Sequence, residues 1–251
     1  MSARATRVCV PVADLLRHPD GPRERQLLLG EAVRVIARHE AWVEVAARRD
    51  GYRGWLAADV LAPLPAPSHR VAARATHLYP APDFRTRESA TLSLNSLLCG
   101  QSSCGRFART PQGFVPAAHL EALATPPADP VSVAETLLGT PYLWGGNSAF
   151  GVDCSGLVQM ACLACAIPCP GDSDEQAAAL GRALPEGAAL RRGDLLFWRG
   201  HVAWVADPQT LLHANAFHMA VTFEPIGAAI ARIARQGDGP LTARKRLGES
   251  P

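Results

Sequence analysis

The sequence has 251 residues, of which 48% are hydrophobic and 19% charged, and its formal net charge is +2. This composition is typical of a globular chain with one large domain or two to three small ones. Lys245 is the only lysine and the arginines are scattered, so no basic patch interleaved with aromatic residues predicts a nucleic-acid partner. No apolar run reaches the length of a membrane span, and we expect no membrane partner.

The first residues, Met-Ser-Ala-Arg-Ala-Thr-Arg-Val-Cys-Val-Pro, lack the apolar core of a signal peptide. Seven cysteines cannot all pair within one chain, and Cys99 and Cys104 could be paired or free. Together these features favour a reducing, cytoplasmic setting. We expect a cytoplasmic monomer.

Residues 1–62 predict the first domain, a small β-barrel whose strands fall within 8–61. Val33 and Val35, then Val43 and Val45, alternate with polar or small neighbours, and Asp50-Gly51 is a strong signal for a hairpin turn. Residues 62–70, with prolines at 63, 65 and 67, predict a linker.

Residues 71–123 predict a second, diverged copy of that barrel. The segment 112–120, Gln-Gly-Phe-Val-Pro-Ala-Ala-His-Leu, echoes the segment 51–60, Gly-Tyr-Arg-Gly-Trp-Leu-Ala-Ala-Asp-Val. Prolines at 126, 127 and 130 then separate this domain from a third one that covers residues 129–251.

The third domain predicts helices first and an antiparallel sheet afterwards, which is an α+β arrangement. Asp129 suits the N-cap of the first helix, Pro130 its first position and Gly139 its end. A second helix is predicted over 154–166 and a third over 173–183, where Ser173-x-x-Gln176 has the pattern of a capping box. Three strands are predicted over 195–198, 201–206 and 211–216, with a turn at Asp207-Pro208.

Cys154 is the candidate nucleophile of this domain. It follows a loop punctuated by Pro141 and several glycines, and it begins the apolar second helix. A thiol in that position faces the positive end of the helix dipole, which favours the reactive thiolate over the neutral form. The alternative is that Cys154 is a small buried hydrophobic residue.

A cysteine nucleophile needs a base, and the base needs an orienting group. Around a hairpin turn centred near position 207.5, His201 lies opposite position 214, next to His213, so His213 could hold the His201 ring. His218 lies beyond the hairpin. We therefore predict that His201 takes the thiol proton, and that the ion pair lowers the thiol pKa. The backbone N–H of Cys154 and the Tyr142 hydroxyl are the candidate oxyanion donors, although Tyr142 could equally serve packing.

The third domain resembles the NlpC-type papain-like cysteine peptidases that cut bacterial cell-wall peptides. The resemblance rests on the order Cys, His, His and on four motifs: Pro-Tyr-Leu-Trp-Gly-Gly at 141–146, Val-Asp-Cys-Ser-Gly-Leu-Val at 152–158, Arg-Gly-Asp-Leu-Leu-Phe at 192–197 and His-Val-Ala-Trp-Val at 201–205. Residues 8–61 and 71–123 look like the bacterial SH3-like domains that often precede it. The implied fold is an α+β papain-like catalytic domain after two all-β SH3-like barrels, with Cys154, His201 and His213 as catalytic residues.

One branch of that family carries two such barrels. It hydrolyses the γ-D-glutamyl–diamino acid bond, with diaminopimelate or lysine, in recycled murein peptides that have a free N-terminal L-Ala. The resemblance extends to Pro170-Gly171-Asp172-Ser173-Asp174-Glu175-Gln176, where Gly171 stands in place of an expected arginine. It implies a small peptide as partner and a substrate site formed by Asp153, Ser155, Asp172, Ser173 and Trp144, with Glu24 and Tyr52 of the first barrel reading the free amine. As alternatives, Asp172 and Ser173 could be helix caps, Tyr52 a core residue and Glu24 a solvated turn residue.

Other functions are weaker alternatives. Cys162, Cys165 and Cys169 have a spacing that could bind a metal, but core thiols suit an apolar helix better, and we predict neither a metal nor a cofactor. Lipid acyltransferases related to this fold have their histidine before the cysteine, the reverse of the order here. Action on intact peptidoglycan, or a wall-binding module with an inactive hydrolase domain, also stays open.

Overall fold

The computed structural model describes residues 5–237 and 239–248. The chain divides into two compact units. The first comprises the chain through Pro126 together with Asn147–Ala149, and the second comprises Pro127–Gly146 and the chain from Phe150 onward. No helix among the described residues is both long and apolar enough to cross a membrane.

The first unit consists of β-strands with two short 3-10 turns, at Ala58–Val60 and Ala117–His119. Its strands are Ala5–Val8 (β1), Val12–Leu16 (β2), Arg23–Leu28 (β3), Val33–His39 (β4), Trp42–Ala47 (β5), Arg53–Ala57 (β6), Leu61–Leu64 (β7), His69–Val71 (β8), Ala75–Leu78 (β9), Ala90–Ser93 (β10), Leu97–Leu98 (β11), Ser102–Cys104 (β12), Phe107–Thr110 (β13), Gly113–Pro116 (β14), Leu120–Ala122 (β15) and Asn147–Ser148 (β16).

The first half of this unit is a five-stranded antiparallel sheet in the order β3-β2-β6-β5-β4. The predicted turn between β5 and β6 is confirmed, and Gly51 adopts a φ of 81° there, which favours glycine. Strands β1 and β7 form a separate two-stranded sheet. The all-β prediction is therefore confirmed, but the described strands form open sheets instead of a closed barrel.

The predicted linker over 62–70 is wrong at both ends. Residues 61–64 form β7 and pair with β1, because Leu61 and Leu64 pack their side chains while Pro63 occupies a strand at the edge of a sheet. Residues 69–71 form β8. Only 65–68 connects the two halves without regular structure.

The second half of the unit is divided among sheets in the orders β10-β9, β11-β8-β15 and β12-β13-β14. Its core is made of small aliphatic side chains, among them Val71, Leu92 and Val115. The echo between 51–60 and 112–120 has a structural counterpart, because each segment leads from a strand through a 3-10 turn into another strand.

The second unit has four helices and one six-stranded antiparallel sheet among its described residues. The helices are Pro130–Glu135 (α1), Cys154–Ala164 (α2), Ser173–Ala179 (α3) and Ile226–Gln236 (α4). The strands are Gly151–Val152 (β17), Arg182–Ala183 (β18), Asp194–Trp198 (β19), His201–Asp207 (β20), Thr210–Asn215 (β21), Ala220–Pro225 (β22) and Ala243–Arg246 (β23). The sheet order is β18-β23-β19-β20-β21-β22, which confirms the α+β prediction.

The predicted helix starts of this unit are confirmed and the ends are not. The Asp129 side chain accepts a hydrogen bond from Val131 N at 2.9 Å, as an N-cap does, but α1 ends at Glu135 instead of Gly139. Helix α2 ends at Ala164, two residues early. Helix α3 ends at Ala179, and 182–183 is a strand.

Helix α4 packs on one face of the sheet through Ala229 and Ile233. The side chains beneath it include Ala203, Val205 and Leu211 from β20 and β21. Side chains alternate between the two faces of a strand, so His201 and His213 share this face with them. The sheet and α4 therefore enclose the predicted histidine pair.

Candidate active site

Asp153 is the N-cap of α2, and its side chain connects the preceding loop to that helix through hydrogen bonds. Its carboxylate accepts hydrogen bonds from Gly156 N at 2.6 Å and from the Ser155 hydroxyl at 3.2 Å. The other oxygen accepts one from Gly145 N at 3.0 Å. A side chain on Gly146 would lie 2.6 Å from the Gly151 carbonyl oxygen, so this tight loop requires glycine. Asp153 and Ser155, two predicted substrate residues, thus support the start of the helix.

Cys154 is the first residue of α2, and its side chain is almost buried at 7% exposure. The thiol lies against the start of β20, where it donates to the Gly200 carbonyl oxygen at 3.9 Å. Burial, and next the Asp153 carboxylate, raise the pKa of the thiol to about 12, although the backbone amides of Val202 and Ser155 oppose the shift. The expectation of a resting thiolate is therefore wrong, because the cost of burying the charge exceeds the help from the helix terminus.

His201 and His213 are in direct contact, as predicted. His201 Nε2 and His213 Nδ1 are 3.0 Å apart. Burial lowers the pKa of His201 to about 3 and that of His213 to about 4, so both rings are neutral near pH 7. The thiol of Cys154 and both imidazole rings are therefore uncharged near pH 7.

The predicted register of this hairpin is wrong by one position. Asp207 pairs with Thr210, whereas Val205 pairs with Leu211 and Trp204 with Leu212. The turn residues are 208–209, and a β-bulge between Val205 and Asp207 shifts the pairing. His201 thus reaches His213 diagonally across the two strands, a distance that imidazole rings can span.

Two residues of this cluster lie outside the sequence prediction. His213 Nε2 is 3.1 Å from Glu224 Oε2, on β22. Arg232 of α4 donates to both oxygens of that carboxylate, from Nε at 2.9 Å and from the other guanidinium nitrogen at 2.7 Å. The sequence signal for this pair is the alternating pattern of β22 and the separation of eight residues between Glu224 and Arg232. It can be interpreted only when α4 is known to cover this face of the sheet.

Tyr142 and Trp144 line a cavity of about 520 Å³ beside His201. Burial, followed by the charges of Cys154 and Asp153, raises the pKa of the Tyr142 phenol, so its hydroxyl keeps a proton to donate. Trp144 is 72% exposed. The remaining lining residues are Arg199, Gly200, Asn215, Ala216, Phe217, Arg232, Ile233 and Gln236.

Asp172 and Ser173 begin α3, next to the first turn of α2. The side chain of Gln176 ties the two helices together by donating to Ser155 O at 2.9 Å and to Pro170 O at 3.0 Å. Asp172 occupies the N-cap position but makes no side-chain cap bond. The predicted capping box is wrong, because Ser173 already lies within the helix and Gln176 is used by this bridge.

Glu24 and Tyr52 belong to the first unit. Glu24 lies in β3 and forms an ion pair with Arg17. Tyr52 packs against the core of the five-stranded sheet, and the Arg25 guanidinium carbon lies 5.3 Å from its ring centroid. Recognition of the substrate amine by these two residues stays a prediction.

All seven cysteines are free thiols. Cys162, Cys165 and Cys169 are buried at the far end of α2 and beyond, and a hydrogen bond from the Cys162 thiol to Cys169 is the largest cause that raises the pKa of Cys162. Among residues 5–237 and 239–248, no group of three histidine, cysteine or acidic side chains is arranged to hold a metal ion.

Comparisons with known proteins identify two families that match parts of this chain. Residues 139–231 match the NlpC/P60 family, and residues 15–61 match the bacterial dipeptidyl-peptidase SH3 domain. The γ-D-glutamyl-L-lysine dipeptidyl-peptidase of Bacillus subtilis is 31% identical over 199 residues, which cover 71% of this chain and 65% of the relative. A protein of the same name from Bacillus cereus is 28% identical over 245 residues, covering 81% of this chain and 70% of the relative.

The fold is also found among solved structures. The crystal structure of an NlpC/P60 family protein from Bacillus cereus superimposes with a TM-score of 0.79 at 22% identity, covering 96% of this chain and 99% of that one. This similarity establishes the fold. The two family matches show that residues 139–231 belong to the NlpC/P60 family of cysteine peptidases and that they follow an SH3-like N-terminal region.

Proposed function

We propose that this protein hydrolyses the γ-D-glutamyl–diamino acid bond of small murein peptides that carry a free N-terminal L-Ala. The observation that carries the proposal is the thiol of Cys154 at the N-terminus of α2, which lies against the start of the strand that holds His201, while the ring of His201 contacts His213 on the neighbouring strand. The names of the two Bacillus relatives supply the substrate class. The reaction is the hydrolysis of an amide, which needs a nucleophile, a base and an oxyanion site.

In the proposed first step, Cys154 Sγ attacks the carbonyl carbon of the γ-glutamyl amide while its proton passes to His201. The C–N bond then breaks, and the amine of the diamino acid leaves with the proton that His201 holds. In the second step, water gives a proton to His201 and attacks the thioester. The C–S bond then breaks, the departing sulfur takes the proton back from His201, and the γ-glutamyl product is released with the thiol and the neutral base restored.

The developing oxyanion is stabilised by the backbone N–H of Cys154 and the protonated hydroxyl of Tyr142. The raised pKa of Tyr142 supports this role, since a phenolate could not donate. Each such donor contributes roughly 2.7–4 kcal/mol to the stability of the transition state.

The diamino acid leaves on the side of His201, because the same ring protonates its amine. The cavity of about 520 Å³ begins there, with the apolar surfaces of Trp144 and Phe217 and the guanidinium of Arg199 along its wall. These groups suit the aliphatic stem and the carboxylate of a diamino acid.

The free ammonium of L-Ala is proposed to be read by a carboxylate. In the second unit, we assign this role to Asp172, at the start of α3. The bridge formed by Gln176 holds the start of α3 beside the first turn of α2, and thus Asp172 close to the nucleophile.

The deciding experiment compares kcat/KM for L-Ala-γ-D-Glu-L-Lys and its diaminopimelate analogue with the values for their N-acetylated forms. Loss of one partner of a desolvated charge pair costs about 2–5 kcal/mol, so acetylation should lower kcat/KM roughly 30- to 5,000-fold. Equal rates would reject recognition of the amine. Cleavage of intact peptidoglycan at a higher rate than of the free peptides would favour a wall hydrolase instead.

The proposed compartment is the cytoplasm. Seven free thiols are compatible with a reducing environment. Fractionation of cells that express the native gene tests this, and recovery of the protein outside the cytoplasm would contradict it.

A further inference from the structure

Glu224 and Arg232 form the end of a hydrogen-bonded chain that begins at the nucleophile's base. The chain runs from His201 to His213 at 3.0 Å, to Glu224 at 3.1 Å and to Arg232 at 2.7 Å. Its members come from three adjacent strands and the helix that covers them. His213, Glu224 and Arg232 are buried, with Glu224 7% exposed, whereas His201 is half-buried at the wall of the cavity.

Building on the proposed function, we propose that Glu224, clamped by Arg232, is a positioning residue that sets the tautomers of both histidines and so presents an unprotonated His201 Nδ1 to the Cys154 thiol. The direction of every hydrogen bond in the chain follows from the donors at its Arg232 end.

The guanidinium of Arg232 can only donate. It occupies both carboxylate oxygens of Glu224 and holds the pKa of that carboxyl below its usual range, so Glu224 is an acceptor. His213 Nε2 must therefore carry a hydrogen. A neutral imidazole has only one N–H, which leaves Nδ1 of His213 as an acceptor.

The tautomer of His201 is fixed by its contact with His213. His213 Nδ1 accepts, so His201 Nε2 donates across the 3.0 Å contact. The single hydrogen of neutral His201 is thereby fixed on Nε2. Its Nδ1 is left with a lone pair, which is the form that a general base requires.

Arg232 is held as firmly as the carboxylate that it orients. A third bond joins it to Gln236 Oε1 at 2.7 Å, and the ring of Phe217 lies 4.8 Å from its guanidinium carbon. A further titratable group that acts on this chain of hydrogen bonds is His218, in the loop after β21, which contributes to the lowered pKa of His213.

Glu224 also compensates the charge that forms when His201 takes the thiol proton. The imidazolium keeps its Nε2–H bond to His213, and no hydrogen bond in the chain has to reverse. The carboxylate lowers the cost of this positive charge from one ring away, as outer carboxylates do for functional histidines elsewhere.

Two variants separate the effects of tautomer and charge. In Glu224→Gln, the amide oxygen can still accept from His213 and Arg232, so the tautomers persist but the charge is lost. In the double variant Glu224→Leu/Arg232→Leu, acceptor and clamp are both removed without leaving a buried charge unpaired. Asp194→Asn is the matched control, because Asp194 is equally clamped by Arg246, at 2.7 and 2.8 Å, but touches no histidine.

The readouts use the full-length chain and need no peptide substrate. Nitrogen-15 NMR of histidine-labelled protein reports the tautomers, with His201→Gln and His213→Gln spectra giving the assignments. The rate of alkylation of Cys154 by iodoacetamide, followed by peptide mass spectrometry, reports how readily the thiol loses its proton.

We expect both histidines to be protonated on Nε2 in the native protein, in Glu224→Gln and in Asp194→Asn, and to be mixed tautomers in the double variant. Alkylation should slow roughly 10- to 100-fold in the double variant, the range known for outer-shell partners of metal-binding histidines, and stay unchanged in Asp194→Asn. Protonation of His201 on Nδ1 in the native protein, or tautomers unaltered in the double variant, would overturn the inference. Correct tautomers in a protein that cleaves no peptide would reject the proposed function alone.

Discussion

Two strands of the six-stranded sheet, β19 and β22, each carry a buried carboxylate that is bound by an arginine, but the two ion pairs have different roles. Asp194 on β19 is bound by Arg246, and Glu224 on β22 is bound by Arg232, in both cases through two hydrogen bonds. The remaining acceptor capacity of Asp194 is used by a backbone amide, Arg191 N at 2.8 Å. That of Glu224 is used by an imidazole.

This difference shows that the third donor decides what a buried ion pair does. A backbone amide fixes the chain and leaves the pair a purely structural element. An imidazole that continues to a second imidazole transfers the same rigidity to a functional proton. We therefore expect substitutions in the Asp194–Arg246 pair to lower the stability of the fold, and substitutions in the Glu224–Arg232 pair to lower the reaction rate of Cys154.

The largest expected effect is at the nucleophile. Cys154→Ala should lower peptide hydrolysis by a factor of roughly 10⁴ or more, since removal of a covalent nucleophile leaves only binding and oxyanion stabilisation. Cys162→Ala is the matched control, because Cys162 is a buried thiol in the same helix whose side chain bonds to Cys169. It should keep its activity while its melting temperature falls. Turnover that persists in Cys154→Ala would refute a cysteine mechanism.

For the β19 pair, Asp194→Leu should lower the free energy of unfolding, because a buried carboxylate that accepts three hydrogen bonds is removed. Urea unfolding measures this change. The folded fraction of the variant should retain the native alkylation rate of Cys154. A slower rate at full folding would mean that the two ion pairs are coupled, contrary to the comparison above.

Much of the second unit could be predicted from local sequence. Asp129-Pro130 defines the start of α1, and the apolar run after Asp153 defines α2, because caps and periodicity act within a few residues. The contact between His201 and His213 also followed from hairpin symmetry. Its register did not, since a bulge at Val205 is set by packing along the whole strand.

Other features needed the folded chain. The Glu224–Arg232 clamp depends on how α4 crosses the sheet, a tertiary contact that periodicity does not encode. The neutral thiol depends on how deeply Cys154 is buried, whereas its position in the helix alone suggested a thiolate. Gln176 looked like a cap and proved to be a bridge to α2, because Ser155 and Pro170 offer their carbonyl groups nearby.

The smallest expected effect is a loss of stability at acidic pH. The pKa of His213 falls from 6.5 to about 4 on folding, so the unfolded chain binds a proton in this window and the folded chain does not. The contribution of neutral His213 to the free energy of unfolding is therefore complete above pH 6.5 and is lost as the pH falls toward 4. At pH 5 this histidine should lower the free energy of unfolding by about 2 kcal/mol relative to pH 7.

Urea unfolding at pH 7 and pH 5 tests this expectation, with His213→Gln as the comparison. His201, lowered to about 3, should contribute a similar loss in both proteins, so the variant should lose about 2 kcal/mol less than the native chain. The window lies above the usual pKa of carboxyl groups, which keeps the Glu224 and Asp194 clamps intact during the measurement. An equal loss in both proteins would show that His213 is charged in the folded state, and the carboxylate–imidazole contact would then be an ion pair instead of a fixed neutral tautomer.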